Sequence, residues 1–279
     1  MEDEWKSIGT YFTACVSRFL LSKKYLFYLL TTLLCAIFSI NFLDAVYQTT
    51  KFMPSEVFES FKAGEVYNLG VLTVRDLDCS QMQYYDEILM GILSGSFMHC
   101  ILALSISSFI CSEFKNGYIE IAIVHGQRRI ALFNQYIVCA VIMVIPLVLV
   151  VIFGTSFSLI LNGMFSFKSA FVIVKTIAIQ FIMLSALCVC VASCSIIIQG
   201  FKAVILCVSG MMILPLIPSY INVFTKGKID LSCIMLLNQL INSSSVDDKS
   251  GLKMLLISII TGLAFYVVCM QGFRIRNFK

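Results

Sequence analysis

Six stretches of about 20 mainly apolar residues run through this chain, and that is the length an α-helix needs to cross roughly 30 Å of hydrocarbon. They are Tyr25–Leu43, Ile88–Cys111, Ile130–Phe153, Ala170–Ile198, Phe201–Tyr220 and Leu252–Met270. Each is continuously apolar rather than alternating, which suits helices and not the strands of a membrane barrel. With 59% hydrophobic and 13% charged residues and a mean hydropathy of +0.93, the 279 residues cannot cover themselves as a soluble globule. The expected fold is an all-α polytopic membrane protein: a bundle over 25–279 with six transmembrane helices, loops over 44–87 and 221–251, and a separate segment over 1–24. The opening Met1-Glu2-Asp3-Glu4 is acidic where a signal peptide is basic, so the first span is expected to stay in the mature protein.

Basic residues set the expected orientation. Lys6, Arg18, Lys23 and Lys24 precede the first span, and Lys115, Arg128 and Arg129 lie between the second and third. Lys202 sits in the fourth connection, and Arg274, Arg276 and Lys279 follow the last span. The positive-inside rule places these segments and both termini in the cytoplasm. The acid-rich loop from Asp44 to Glu87 then lies outside. Before the first span, Trp5, Ile8, Phe12, Val16 and Phe19 recur at three- and four-residue steps. That stripe predicts a helix lying in the cytoplasmic interface, the alternative being an inward extension of the first span. Beyond Pro215 and Pro218, residues 221–241 remain partly apolar, and either re-enter the outer leaflet as short broken helices or form an external loop with one amphipathic helix.

Several kinds of chemistry find no residues to carry them. There is no G-x-x-x-x-G-K-[ST] loop and no aqueous stretch long enough for a nucleotide-binding domain, so no cofactor is expected in this chain. His99 and His125 are the two histidines, without an H-E-x-x-H motif, and no G-x-S-x-G elbow occurs; neither a catalytic nor a metal site is expected. A net charge of +4 without an aromatic-laced basic tract argues against a nucleic-acid partner. Most of the 12 cysteines fall inside apolar segments and read as small core residues, while Cys79 and Cys233 share the expected outer side, where a bridge would require close approach. His99 falls mid-span and serves either as a structural hydrogen bond to a neighbouring helix or as a contact along a pathway. Gly91 and Gly95 form a G-x-x-x-G pattern that would let two helices approach closely.

Between the second and third spans lies a charged, helix-compatible insert from Glu113 to Arg129. Residues Lys115 to Val124 can form a short helix placing Tyr118, Ile119 and Ile123 near one side, able to plug into a cleft on a soluble partner. Glu113 at the membrane boundary is expected to reach back to the Arg128–Arg129 pair and hold that helix at its angle. The alternative is that these charges only snorkel and set orientation.

Glu113, Gly117, Gly126 and Arg129, in that order and around a short amphipathic helix, together with six spans and a basic aromatic tail (Phe273-Arg-Ile-Arg-Asn-Phe), give the chain its resemblance. It is similar to permease subunits of the ABC-2 family of ATP-binding-cassette transporters. That family typically carries a Glu at the inner end of the second span, a Gly four residues later, and a Gly and an Arg opening the third. Tyr118 departs from the small hydroxyl residue usual after the Gly, and Gln127-Arg128 from the small polar residue usual before the Arg.

The resemblance implies that Glu113, Gly117, Tyr118, Ile119, Ile123, Gly126 and Arg129 couple the bundle to a cytoplasmic ABC ATPase dimer that binds ATP and Mg. It implies a second permease copy or paralogue, a place in the bacterial plasma membrane, and export of an amphipathic peptide or lipophilic compound, as in peptide, bacteriocin-immunity and drug-efflux systems. Two readings from other classes stand beside it. An ATPase-independent carrier or channel would need inverted repeats or buried ion-binding residues, and a scaffold or sensor would use the 44–87 loop as its binding surface.

Overall fold

The computed structural model of the chain describes residues 2–51, 67–68, 71–74, 85–162, 170–225, 235–242 and 248–275. An amphipathic α1 (Glu2–Leu20) leads into α2 (Lys23–Lys51). A two-stranded antiparallel hairpin follows, β1 (Tyr67–Asn68) and β2 (Thr73–Val74), with Tyr67 opposite Val74. Then come α3 (Tyr85–Leu93), α4 (Ser96–Lys115), α5 (Tyr118–Val124), α6 (Arg129–Ile142) and α7 (Val144–Leu161). The chain continues through α8 (Ala170–Ile198), α9 (Gly200–Ile213), α10 (Leu216–Phe224), α11 (Leu236–Asn242) and α12 (Asp248–Ile275). Among the described residues, everything regular except the hairpin is helical.

Several long apolar helices make this a multi-pass membrane protein. Among the described residues, four segments are long and apolar enough to cross a bilayer, within α4, α6–α7, α8 and α12, and a fifth is reached if the end of α1 and the start of α2, bent by 49° at Leu21–Ser22, count as one span. The six spans that hydropathy predicts are therefore not all found among the described helices. The segment 88–111 breaks at Ser94–Gly95, where Gly95 is extended (φ −64°, ψ 138°) and caps α4. The segment 130–153 lies within one apolar run, Arg129–Leu161, interrupted at Met143, which keeps helical angles (φ −63°, ψ −25°); Pro146 there has no N–H for the Ile142 carbonyl. The segment 201–220 is interrupted after Ile213: Leu214 keeps helical angles (φ −56°, ψ −39°), but Pro215 has no N–H for the Met211 carbonyl, and α9's 14 residues rise only about 21 Å. Only 170–198 has the bounds the sequence predicts, as α8.

Side-chain contacts give the helix directions. Tyr25 donates to the Met143 carbonyl at 2.9 Å and Ser158 to the Ile37 carbonyl at 2.6 Å, so α2 and α6–α7 run in the same sense. A Cβ on Gly154 would come within 2.6 Å of the Ala36 Cβ, so those two helices touch at backbone distance. α12 runs alongside α8, with Gly262 against Ala186 and Gly272 against Ile197. α8 and α9 form an antiparallel pair in which the Cys207 thiol lies 3.6 Å from Ser195 Oγ. α8 is the hub, touching α3, α4, α6, α7, α9, α11 and α12. Leu236, Leu237 and Leu240 bury α11 against α8 and α12. These paths bring the C-terminal ends of α1, α4, α8 and α12 and the N-terminal ends of α2, α6 and α9 to one end of the bundle, which also carries α5.

Candidate functional site

Two left-handed glycines define α5. Gly117 (φ 71°) ends α4, its N–H bonding the Phe114 carbonyl at 3.1 Å, and Gly126 (φ 86°) ends α5. At the second stop, Gly126 N–H reaches the Ile123 carbonyl and Gln127 N–H the Ala122 carbonyl, the paired closure that favours glycine at this position. The seven residues between are therefore a discrete helix set off from both long neighbours.

Ile119 (0% exposed) and Ala122 are buried in the bundle, and Ile123 packs against its core. Fully burying a side chain such as Ile119 contributes about 1.5–3 kcal/mol. The face expected to plug into a partner is thus the one that seats the helix on its own chain. The outward side carries Ile121 (52% exposed) and Val124 (83%), which the sequence reading does not single out, with Lys115, His125 and Arg128 exposed around them. A three-residue step puts Ile121 and Val124 on one face.

Glu113 does not reach the Arg128–Arg129 pair. It is buried, and Arg18 of α1 holds it with two parallel bonds, Nε to Oε1 at 3.2 Å and Nη2 to Oε2 at 2.8 Å. Tyr136 of α6 donates a third bond to Oε2 at 2.9 Å. Tyr136 uses its proton on the carboxylate, so the single Tyr11 proton is shared between the Tyr118 carbonyl at 3.3 Å and the Tyr136 hydroxyl at 3.2 Å. The Arg18 guanidinium stacks over the Tyr118 ring at 4.4 Å. A charge taken this far out of water persists only when paired and fully hydrogen-bonded, and Glu113 is both. Four elements, α1, α4, α5 and α6, meet in this one clamp. Phe19 extends it below, 4.5 Å from both Tyr25 and Phe109.

Arg129 opens α6 as expected, but its Nη1 donates to the Arg274 carbonyl at 3.2 Å and ties α6 to the end of α12. Tyr11 and Tyr136 carry no signal in sequence as partners of Glu113, and Arg18 reads only as one more inside charge. Among the described side chains of α1, Cys15 and Phe19 are buried, with Tyr11, Phe12 and Val16 packed beside them. The side chains of Trp5 and Ile8 lie outside the described residues, as do Cys79 and Cys233.

His99 is buried and bonds the backbone of Leu93, a group freed where α3 gives way to α4, while its Nε2 has no hydrogen-bond partner. Its bond stays within one broken segment rather than crossing to a neighbouring span. Gly91 and Gly95 do not form a helix–helix seam: a Cβ on Gly91 would meet the Thr73 carbonyl oxygen of the hairpin at 2.6 Å, and Gly95 sits in the break. Thr73 Oγ1 covers the same spot, bonding the Gly91 carbonyl and Ser94 Oγ. Between α8, α9, α11 and α12 lies a hollow of about 460 Å³ lined chiefly by apolar side chains, Leu187, Val191, Met211 and Phe265 among them. Comparisons of the chain with protein-family models, with curated proteins and with solved structures give no match.

Proposed function

We propose that this chain is the permease subunit of an ABC-2 type exporter, working with a second copy or a paralogue and driven by a separate ATPase that binds ATP and Mg. The observation that carries the reading is α5, a short helix stopped by a left-handed glycine at each end. Its inner face is buried, Glu113 beside it is clamped to α1 and α6, and its outer face leaves Ile121 and Val124 exposed among basic residues. A helix seated this way can take a push from a docked partner and pass it to α4 and α6, which it joins directly, and to α1 through Arg18. On this reading the α5 end faces the cytoplasm of a bacterial cell. α9 and α10 together supply the sixth, broken crossing. The apolar hollow beside α8 supports an amphipathic or lipophilic cargo.

The test is mild extraction from native membranes, followed by a search for a co-purifying ATPase of about 25–35 kDa, the size of a single nucleotide-binding domain, with vanadate-sensitive activity. The double variant Ile121→Asp/Val124→Asp is expected to reach the membrane in normal amount and lose that ATPase. Retention of the ATPase by the variant overturns docking through α5, and purification of the wild-type chain alone overturns the permease reading.

A further inference from the structure

The elbow between α1 and α2 encloses a cavity of about 380 Å³, closed on its other sides by α4 and α5. Arg18, Lys23 and Lys24 line it, with Ser108 and Asn116 adding polar groups. The carboxylate in its lining is Glu113, which already holds Arg18 and Tyr136. Three cations against one engaged carboxylate leave the hollow with two positive charges in excess. Lys23 and Lys24 are exposed, and no ion pair involves them among the described residues.

The surface below the elbow has the opposite character. Leu26, Leu30, Leu34, Phe38 and Phe42 recur at four-residue steps down α2, all exposed, beginning two residues beyond Lys24. None of the stripe residues lines the hollow, but Lys23 and Lys24 line it and stand at the head of the helix that carries the stripe, and a molecule with an anionic head and a hydrocarbon tail matches the two. Basic residues at this depth each attract anionic headgroups by about 1 kcal/mol. Phosphate oxygens would accept from the two ammonium groups and from the part of the Arg18 guanidinium not used on Glu113.

We propose that the elbow cavity binds the phosphate headgroup of an anionic phospholipid, with its acyl chains lying along the α2 stripe. The site needs only that the chain sits in a bilayer and does not depend on the transporter reading. Since Arg18 belongs to both the cavity and the Glu113 clamp, a bound headgroup also fixes the elbow against α5.

The test uses the full chain purified in mild detergent and followed by native mass spectrometry and thermal unfolding. Phosphatidylglycerol, phosphatidylcholine with the same acyl chains, and inorganic phosphate are added separately. Phosphatidylglycerol is expected to be retained and to raise the unfolding temperature, with phosphatidylcholine and inorganic phosphate doing neither. Lys23→Gln/Lys24→Gln should weaken retention about thirtyfold, the loss of two such contacts. Lys202→Gln/Arg274→Gln, which removes two exposed charges from the same end but outside the cavity, should leave retention intact. Equal retention of the two lipids, equal loss in both double variants, or unchanged retention in Lys23→Gln/Lys24→Gln each overturns the proposal. A shift produced by inorganic phosphate alone assigns the site to a free anion and overturns the lipid.

Discussion

The clamp around Glu113 and the seam between α2 and α7 hold helices together by different means. At the clamp, one buried carboxylate collects Arg18 and Tyr136 from two other elements, and the directions of those bonds fix where α1 and α6 sit. At the seam close packing leads: Gly154 lets the backbone of α7 close on Ala36 and Leu33, and that approach is what brings Ser158 within 2.6 Å of the Ile37 carbonyl. Inside hydrocarbon, lipid tails are as apolar as leucine, so helices associate through close packing rather than through the hydrophobic effect. At the clamp, directional bonds specify what packing alone leaves loose. The difference is one of means: backbone approach holds the seam, and directional bonds hold the α5 end, the end that under the proposed function meets the ATPase.

The largest effect that would break this comparison lies at the clamp. Arg18→Gln leaves Glu113 buried with one bond lost at each oxygen and should cost about 3–5 kcal/mol in unfolding of the purified protein. Glu113→Gln should cost less, because the guanidinium left behind is 30% exposed and can turn to water. The reverse order would mean that the carboxylate is not the centre of the clamp. At the seam, Gly154→Val is expected to cost about 1–3 kcal/mol, since the new Cβ would stand where the Ala36 methyl already is. A neutral result by the same thermal assay would show that α2 moves freely on α7.

Gly262→Ala sharpens the contrast between tight and ordinary contacts. Its Cβ would sit 3.4 Å from the Ala186 Cβ, so about 1 kcal/mol or less is expected, again by unfolding temperature. The smallest effect on stability belongs to Ile121→Asp. Half exposed on the outer face of α5, it should change stability by no more than about 0.5 kcal/mol. The same change is expected to reduce recovery of a co-purifying ATPase. Ile119→Asp, at a fully buried position, would instead report on folding.

Much of the fold is legible from local composition. Hydropathy is a sum over neighbours in sequence, so a run such as 170–198 announces its own helix; the short helix read over Lys115–Val124 ends where expected but begins only at Tyr118, because Lys115 closes α4 and Gly117 takes a left-handed turn between the two. The breaks at Gly95, Met143 and Leu214 were also present locally, in a glycine and in Pro146 and Pro215, but a hydropathy window averages over them. Tertiary structure alone decided that Glu113 pairs with Arg18 instead of Arg128 or Arg129, that Ile119 faces inward while Ile121 and Val124 face out, and that Gly91 meets the hairpin. Each depends on what residues far away in sequence bring alongside. A side chain's own character says that it must be paired or buried, and only the assembled bundle says by what.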